Sequence, residues 1–180
     1  MARILLHTCC GPCTFYPLMR LREQGHEVIG FFYNPNIHPY MEFARRLEAL
    51  QEMASANDLR LIVREDYPLE DFIRNVAFRE QNRCIYCYTV RLEAAARLAK
   101  KSKFDAFTTT LLYSKRQKHD LIRSVAESAA KKARISFYYE DFREGWKIGQ
   151  QMAIESGIYR QQYCGCIWSE KERFYKKRRH

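Results

Sequence analysis

The residues with the clearest chemical potential in this chain are its cysteines, which fall into three clusters. The 180-residue sequence contains seven of them. They are Cys9, Cys10 and Cys13, then Cys84 and Cys87, then Cys164 and Cys166. A chain of this length can bury a full hydrophobic core and does not need disulfides for stability. Clustered thiols in such a chain are typical of metal binding or redox chemistry.

The first cluster lies where a predicted strand leads into a predicted helix, and it reads Cys9-Cys10-Gly11-Pro12-Cys13. Amide donors and the helix dipole at such a junction favour thiolates. Gly11 is expected to let the backbone approach a bulky ligand, and Pro12 suits the beginning of a helix. The segment from Cys10 to Cys13 also matches the active-site motif of thioredoxin. A thioredoxin-like oxidoreductase is therefore an alternative, although Cys9 stands where thioredoxin has tryptophan.

The second cluster is the Cys84-x-x-Cys87 pair at the predicted start of a helix. This spacing suits zinc, a redox pair or half of an iron–sulfur site. Adjacent Cys9 and Cys10 are expected to strain to reach one tetrahedral ion, whereas an iron–sulfur cubane presents separate iron atoms to neighbouring thiolates. We therefore favour a [4Fe–4S] cluster held by Cys9, Cys10, Cys84 and Cys87 over zinc. A non-enzymatic, zinc-stabilised RNA-binding module is the alternative.

The third cluster, Cys164-Gly165-Cys166, has one residue between its thiols. A disulfide across one residue closes a very small ring, and strained disulfides are labile. The spacing therefore favours a redox-active pair. Extra metal ligands or free thiols are the other interpretations of these two cysteines.

The net charge indicates an acidic partner. The sequence carries a formal charge of +10 and twelve tyrosines. The basic residues of the final segment are Lys171, Arg173, Lys176, Lys177, Arg178 and Arg179. Such an excess attracts a phosphate backbone through counterion release, and tyrosines can stack on bases, so the composition favours RNA. A solvated basic tail is the alternative for the final segment.

Membrane insertion and secretion are not expected from the sequence. No apolar run approaches the ~18 residues that a membrane span requires. The short apolar run near the amino end meets His7 at once and does not resemble a signal peptide. We therefore predict that the protein is cytoplasmic.

Strands and helices are predicted to alternate along almost the whole chain. Predicted strands cover 4–8, 28–33, 59–63, 104–110 and 135–139, and predicted helices cover 14–24, 41–56, 69–77, 84–101, 118–133 and 146–156. This alternation favours an α/β fold with a mostly parallel, Rossmann-like sheet flanked by helices. We predict one catalytic domain over 1–180, with a basic helix or tail over about 170–180. Residues 8–10 and 108–110 should then open onto one crevice at the carboxyl ends of two strands.

The cysteine clusters and several shorter segments resemble one known family, the cobalamin-independent epoxyqueuosine reductases of the QueH type. The resembling segments are 6–13, 33–37 with 45–46, 83–87 with 91–92, 109–114, 139–143, and 163–166 with Ser169. Each segment is short, but their order along nearly the whole chain is specific. The resemblance also implies a fold related to the ATP-pyrophosphatase (HUP-type) group. Because residues 9–13 replace the phosphate loop of that group, we predict no use of ATP.

The resemblance implies an oxidoreductase that removes the epoxide oxygen of epoxyqueuosine at the wobble position of tRNA with a GUN anticodon. It places the [4Fe–4S] cluster on the four cysteines favoured above and a redox-active disulfide on Cys164 and Cys166. It also implies an additional mononuclear iron, for which Cys13 is a candidate ligand by proximity. The electron donor is expected to be a ferredoxin- or flavodoxin-like protein. An iron–sulfur tRNA thiolase that uses ATP is the main enzymatic alternative.

Two further sets of residues complete the predicted site. Breaking the epoxide C–O bond requires a proton donor, and His7, Tyr113, Asp141 and Tyr163 are all chemically suitable. We take Tyr113 and Asp141 as the candidate donors. Arginines at four positions in or near the motifs are predicted to contact anticodon phosphates. They are Arg46, Arg83, Arg91 and Arg143.

Overall fold

A five-stranded parallel sheet forms the centre of the computed structural model, which describes residues 1–175. The strands are β1 (Arg3–Thr8), β2 (Glu27–Phe32), β3 (Leu61–Val63), β4 (Ala106–Thr109) and β5 (Ser136–Phe137). Their order in the sheet is β3-β2-β1-β4-β5, and every neighbouring pair is parallel. The central strand β1 is an apolar run because both of its faces are covered, and Ile4, Leu5 and Leu6 are fully buried.

Helices provide the crossover connections that parallel strands require. They are α1 (Phe15–Glu23), α2 (Tyr40–Ala56), α3 (Leu69–Val76), α4 (Arg83–Lys101), α5 (His119–Ala133), α6 (Trp146–Glu155) and α7 (Ile167–Phe174). Short 3₁₀ turns occupy Glu80–Asn82, Thr110–Tyr113 and Phe142–Gly145. Over residues 1–175, no helix has both the length and the apolar character that crossing a membrane would demand.

The strand order creates a crevice at the end of β1. From β1 the chain moves outward to β2 and β3, then returns to place β4 and β5 on the other side of β1. Connections therefore leave β1 and β4 in opposite directions, and an opening forms beyond the carboxyl ends of these two strands. The predicted α/β class and the predicted meeting of residues 8–10 with 108–110 are both confirmed, since Cys9 N donates to Thr110 Oγ1 at 3.1 Å.

The main differences from the sequence prediction lie at element ends. The third strand begins at Leu61 rather than at residue 59, because Leu59 N still donates to Ala54 O in the turn that leaves α2. The last helix begins at Ile167, three residues before the predicted start, with Cys166 at its N-cap. The remainder of the predicted basic tail, 176–180, lies outside the described residues. A single catalytic domain over 1–180 stays a prediction.

Candidate metal and redox site

Three cysteine sulfurs meet where β1 leads into α1. The Sγ atoms of Cys9, Cys10 and Cys13 all lie within 4.8 Å of one another. Those of Cys9 and Cys10 are 3.6 Å apart. Sulfurs bound to one tetrahedral zinc ion are roughly 3.8 Å apart, given a zinc–sulfur bond of about 2.3 Å. The expectation that adjacent Cys9 and Cys10 would strain to reach one ion is therefore wrong, and the three thiols together can hold a metal.

The loop that carries these thiols is fixed against helix α2. A Cβ atom on Gly11 would lie 2.6 Å from the carbonyl oxygen of Ala49, so only glycine fits this position. Thr14 Oγ1 donates to Cys10 O at 2.8 Å, and Thr14 N donates to Gly11 O at 2.9 Å. Gly11 therefore lets the cysteine loop approach the backbone of α2, rather than a ligand as the sequence suggested.

The three thiols differ in their acidity. Hydrogen bonds from Cys10 and Cys13 hold the pKa of Cys9 well below its usual value. Burial raises the pKa of Cys10. Thr110 Oγ1 also donates to Cys9 Sγ at 3.3 Å, which connects the thiol to the end of β4. Cys9 is thus the most acidic thiol of the three, and thiolates are the form that binds metals.

Gln161, in the segment between α6 and α7, supplies a further donor to the thiols. Its Nε2 lies 2.9 Å from Cys10 Sγ and 3.5 Å from Cys13 Sγ. Such contacts to ligand atoms orient the ligands and adjust the properties of a bound metal. The segment before the third cysteine cluster therefore closes over the first cluster.

A cavity of about 140 Å³ lies beside these thiols at the carboxyl ends of β1 and β4. It is lined by Cys9, Pro12, Cys13, Arg46, Arg91, Leu111, Ser114, Arg116, Gln117, Trp146, Gln150, Arg160, Gln161, Tyr163 and Cys164. This lining joins residues that follow β1, residues that follow β4, and the segment between α6 and α7. Within residues 1–175, four arginines and no carboxylate line the cavity, so it favours an anionic ligand.

The second cysteine pair contacts the cavity through Arg91. Cys84 and Cys87 occupy the first turns of α4. Burial raises the pKa of Cys87 to about 12. Arg91 is 2% exposed, lines the cavity, and donates from Nη1 to Cys87 Sγ at 3.3 Å. The group of sulfurs within 4.8 Å of one another includes neither Cys84 nor Cys87, so these two thiols stand apart from the first cluster.

Arg46 holds the segment that contains the third cysteine cluster. It is 2% exposed, and its Nε donates to Glu42 Oε1 at 2.7 Å. Its two terminal nitrogens donate to Cys164 O at 2.8 Å and to Tyr163 O at 2.9 Å. Every nitrogen of this guanidinium is therefore used inside the protein, where it positions the backbone next to Cys164.

The two thiols of the third cluster have different surroundings. Cys164 is exposed and Cys166 is buried, and both are free thiols. Gln117 Nε2 donates to Cys164 Sγ at 3.1 Å, while Tyr88 Oη donates to Gln117 Oε1 at 2.6 Å. The tyrosine thus fixes which end of the glutamine amide faces the thiol. Gly165 between the cysteines has a φ of +150°, a conformation that favours glycine.

The comparison with known families identifies this chain. A family model described as "Epoxyqueuosine reductase QueH" matches residues 4–172, a range that includes all seven cysteines. The chain belongs to the epoxyqueuosine reductase QueH family. An epoxyqueuosine reductase QueH of Dehalococcoides mccartyi is 37% identical over 96% of this chain and 94% of that protein. The QueH protein of Thermotoga maritima is 34% identical over 96% of this chain and 93% of that protein.

Among solved structures, the fold is similar to a protein described as a predicted subunit of tRNA methyltransferase from Methanocaldococcus jannaschii. The TM-score is 0.60 with 14% sequence identity, and the match covers 86% of this chain and 75% of the other. At this identity the likeness concerns the fold alone. It agrees with the Rossmann-like arrangement of the sheet described above.

The tyrosines that were predicted as proton donors have their hydroxyls engaged within the protein. Tyr113 is buried, and its Oη donates to Trp146 O at 3.0 Å. Tyr163 lines the cavity, and its Oη donates to His38 O at 2.5 Å. Burial raises the pKa of each of these tyrosines to about 12. Both hydroxyls therefore keep their protons at neutral pH.

The other two predicted donors are also committed to contacts within the chain. Asp141 accepts hydrogen bonds from Arg143, which hold its pKa below the usual value. Neither Asp141 nor Arg143 lines the cavity described above. His7 is fully buried between Thr109 Oγ1 at 2.9 Å and Tyr33 O at 3.3 Å, and burial lowers its pKa to about 3.

The structure separates the four arginines that were predicted to contact RNA. Arg46 and Arg91 are buried and face the cavity. Arg83 forms two hydrogen bonds with the carboxylate of Glu172 on α7, at 2.6 and 2.7 Å. Arg143 pairs with the neighbouring aspartate described above. None of the four presents an unpaired guanidinium on the surface of residues 1–175, and Arg83 and Arg143 would have to leave their carboxylate partners to bind a phosphate.

Several residues of the site were not predicted from the sequence. They are Arg116, Gln117, Trp146, Gln150, Arg160 and Gln161. Glutamine and arginine are common on surfaces, so their types alone did not distinguish them. The only available signal was position, because Gln161 closely precedes the third cysteine cluster and Arg116 follows the end of β4.

Proposed function

We propose that this protein reduces epoxyqueuosine to queuosine in tRNA that carries a GUN anticodon. The family match over residues 4–172 is the observation that carries the proposal. The positively charged cavity beside clustered thiols supports it, because an RNA substrate is anionic and the reaction is a reduction. Because the proposed substrate is tRNA, we also propose that the protein is cytoplasmic.

The proposed reaction requires two electrons and two protons. Both C–O bonds of the epoxide break, a carbon–carbon double bond forms, and the oxygen leaves as water. Oxidising Cys164 and Cys166 from two thiols to a disulfide would release two electrons and two protons, which is the same balance. We propose that this pair is redox-active and that a ferredoxin- or flavodoxin-like protein supplies the electrons for each cycle.

The residues around the cavity fit an iron–sulfur cofactor. Thiolates are the ligands that iron–sulfur clusters require. The buried Arg91 has no carboxylate partner among residues 1–175, and its guanidinium would balance the negative charge of several thiolates. We propose a [4Fe–4S] cluster on Cys9, Cys10, Cys84 and Cys87, which when bound supplies electrons one at a time. An additional mononuclear iron with Cys13 as a ligand is part of the same proposal.

The other residues of the site hold and orient these groups. Gln161 donates to the sulfurs of the first cluster, and Thr110 fixes Cys9 at the end of β4. Arg46 positions the backbone at Cys164, and Gln117 contacts its thiol. Cys164 of the proposed redox pair lines the same cavity as Cys9 and Cys13, which supports their action on one ligand.

Proton delivery to the departing oxygen is assigned to Tyr113 or Asp141. Tyr113 holds its proton at neutral pH, but its hydroxyl would first have to leave Trp146 O. Asp141 is ionised beside Arg143, so it would act as a donor only after taking up a proton. Replacing each by its isosteric partner, Tyr113→Phe and Asp141→Asn, and comparing kcat would test the assignment.

The proposed function is tested by anaerobic incubation of the protein with epoxyqueuosine-containing tRNA and a strong chemical reductant. Digestion of the tRNA and mass spectrometry of its nucleosides should show queuosine in place of epoxyqueuosine. A Cys84→Ala variant serves as the inactive control. Unchanged epoxyqueuosine with the iron-loaded wild type would contradict the proposal, and a product that has gained sulfur would indicate a tRNA thiolase instead.

One observation favours a second candidate, the zinc-stabilised RNA-binding module. The three sulfurs of the first cluster lie at the separation expected around a single ion. Metal analysis of anaerobically purified protein distinguishes the two candidates. Iron with sulfide supports the reductase, whereas one zinc per chain, tRNA binding and no conversion of the nucleoside would support the binding module.

A further inference from the structure

We propose that Arg116 and Arg160 form a phosphate clamp at the mouth of the cavity, which holds the backbone next to the nucleotide that is reduced. Arg116 lies in the turn between the 3₁₀ turn Thr110–Tyr113 and α5, and Arg160 lies between α6 and α7. Both side chains are exposed, and both line the cavity that Cys9, Cys13 and Cys164 also line. The inference rests on the proposed function, since it concerns the same cavity.

Neither guanidinium is committed to another group. In the described part of the chain, neither Arg116 nor Arg160 takes part in an ion pair, and neither side chain donates a hydrogen bond. By contrast, Arg83 and Arg143, which were predicted to contact RNA, are each paired with a carboxylate. Arg116 and Arg160 are therefore free to form the paired contacts with phosphate oxygens for which guanidinium groups are suited.

The interior of the cavity makes an anion at its mouth more favourable. The buried guanidiniums of Arg46 and Arg91 also face this space, and no carboxylate of residues 1–175 lines it. A cleft lined by charges of one sign concentrates the field and attracts the opposite charge. A phosphate at the mouth would leave the base and its substituent directed inward toward the thiols.

The base has an aromatic neighbour in the same cavity. Trp146 lines the wall, and one face of its ring stacks on Tyr113 with the ring centroids 5.1 Å apart. Proteins commonly bind unpaired RNA bases by stacking them on aromatic side chains. A clamp at the mouth and Trp146 on the wall together fit one nucleotide of a single-stranded loop.

The first test measures turnover and binding of an epoxyqueuosine-containing anticodon stem-loop by wild type, Arg116→Gln, Arg160→Gln and the double variant. Each single change should raise KM roughly tenfold, because a hydrogen bond to a charged group is lost, while kcat stays unchanged. The slope of the logarithm of the binding constant against the logarithm of the salt concentration should also become shallower by about 0.7 for each lost phosphate contact.

Arg97→Gln is the matched control for these variants. It removes the same charge from the carboxyl-terminal half of α4, which runs away from the end of the sheet where the cavity lies. Its KM and salt slope should equal those of the wild type. If the double variant behaved like this control, the clamp would be refuted. If the wild type failed to convert the substrate at all, the proposed function would fail instead.

A second test changes the RNA and leaves the protein intact. Neutral methylphosphonate linkages on either side of the modified nucleotide should weaken binding to wild type but not to the double variant, because the variant lacks the groups that contact these phosphates. An equal loss of binding by both proteins would show that the arginines do not contact them. This comparison also separates loss of contact from any misfolding of the variants.

Discussion

Arg91 donates from Nη1 to the sulfur of Cys87 at 3.3 Å, and both side chains are buried one helical turn apart on α4. A buried guanidinium without a carboxylate partner is costly, because the charge has left water without compensation. Thiolates or an anionic cofactor would provide that compensation. Because burial keeps Cys87 protonated on its own, the pair favours an anionic cofactor bound next to Arg91.

Arg91→Met should impair metal loading, because it removes the positive charge while keeping an apolar side chain of similar reach. Iron and acid-labile sulfide after anaerobic reconstitution measure the effect, and a tenfold or greater loss of metal affinity is expected for an orienting partner of this kind. Arg97→Met, an exposed change on the same helix, should load normally. Full iron and sulfide content in Arg91→Met would contradict a role for Arg91 in metal loading.

Gln161→Leu should weaken metal binding by about 10–100-fold, because the thiols of Cys10 and Cys13 lose a donor that orients them. Competition with a chelator of known affinity measures the change. Gln162→Leu is the matched control, since Gln162 is the adjacent residue and is exposed. Equal affinities for the two variants would show that the contact of Gln161 with the sulfurs contributes nothing.

Gly149→Ala should destabilise the fold by about 1–3 kcal/mol, the usual cost of overpacking a core. The new Cβ would lie 2.5 Å from the Tyr113 hydroxyl, which outweighs the higher helix propensity of alanine at this position in α6. Urea unfolding measures the loss. Adding Tyr113→Phe to this variant should recover part of it, because the hydroxyl that clashes is gone. No recovery in the double variant would argue against this contact as the cause.

Stability should fall as the pH drops from about 6.5 to about 4, and His38 should contribute to that fall. Burial between the rings of Tyr67 and Phe72 lowers the pKa of His38 to about 4. The unfolded chain takes up a proton below about pH 6.5, whereas the folded chain does not until about pH 4. The contribution of His38 to the free energy of unfolding is therefore complete above about pH 6.5. It is lost as the pH falls toward 4, at up to about 1.4 kcal/mol per pH unit.

His38→Leu should flatten the pH dependence of unfolding in this window. Other buried groups titrate in both proteins, so the difference between the two curves isolates His38. Urea unfolding at several pH values from 4 to 7 provides the curves. Parallel curves for wild type and variant would contradict the assignment of this proton uptake to His38.

The sheet and the meeting of its strand ends were predictable because local patterns determine them. Apolar runs such as 4–8 and 28–33 between helical segments require a parallel sheet, and parallel strands place their carboxyl ends at one edge. Cys9 and Thr110 follow two such strands, so their contact followed from topology. The bounds of the short strand Ser136–Phe137 were less predictable, because its pairing with Ala106 and Phe107 of β4 sets them.

The interior of the site was less predictable, because tertiary contacts override the usual behaviour of the residue types. Arg46 and Arg91 were expected to contact anticodon phosphates, and arginine is seldom buried. The structure buries both, one against Glu42 and backbone carbonyls and the other against Cys87. Gln161 reaches the first cysteine cluster from 148 or more residues away in sequence, a contact that no local pattern reveals.

Iron and acid-labile sulfide per chain, measured in anaerobically prepared wild type and in Cys84→Ala, decide whether these cysteines hold an iron–sulfur cluster. We expect about four iron and four sulfide ions in the wild type, with one more iron if the mononuclear site is filled, and their loss in Cys84→Ala. Cys164→Ser should retain them while turning over slowly. A single zinc without sulfide in the wild type, or an unchanged content in Cys84→Ala, would contradict the proposed cluster.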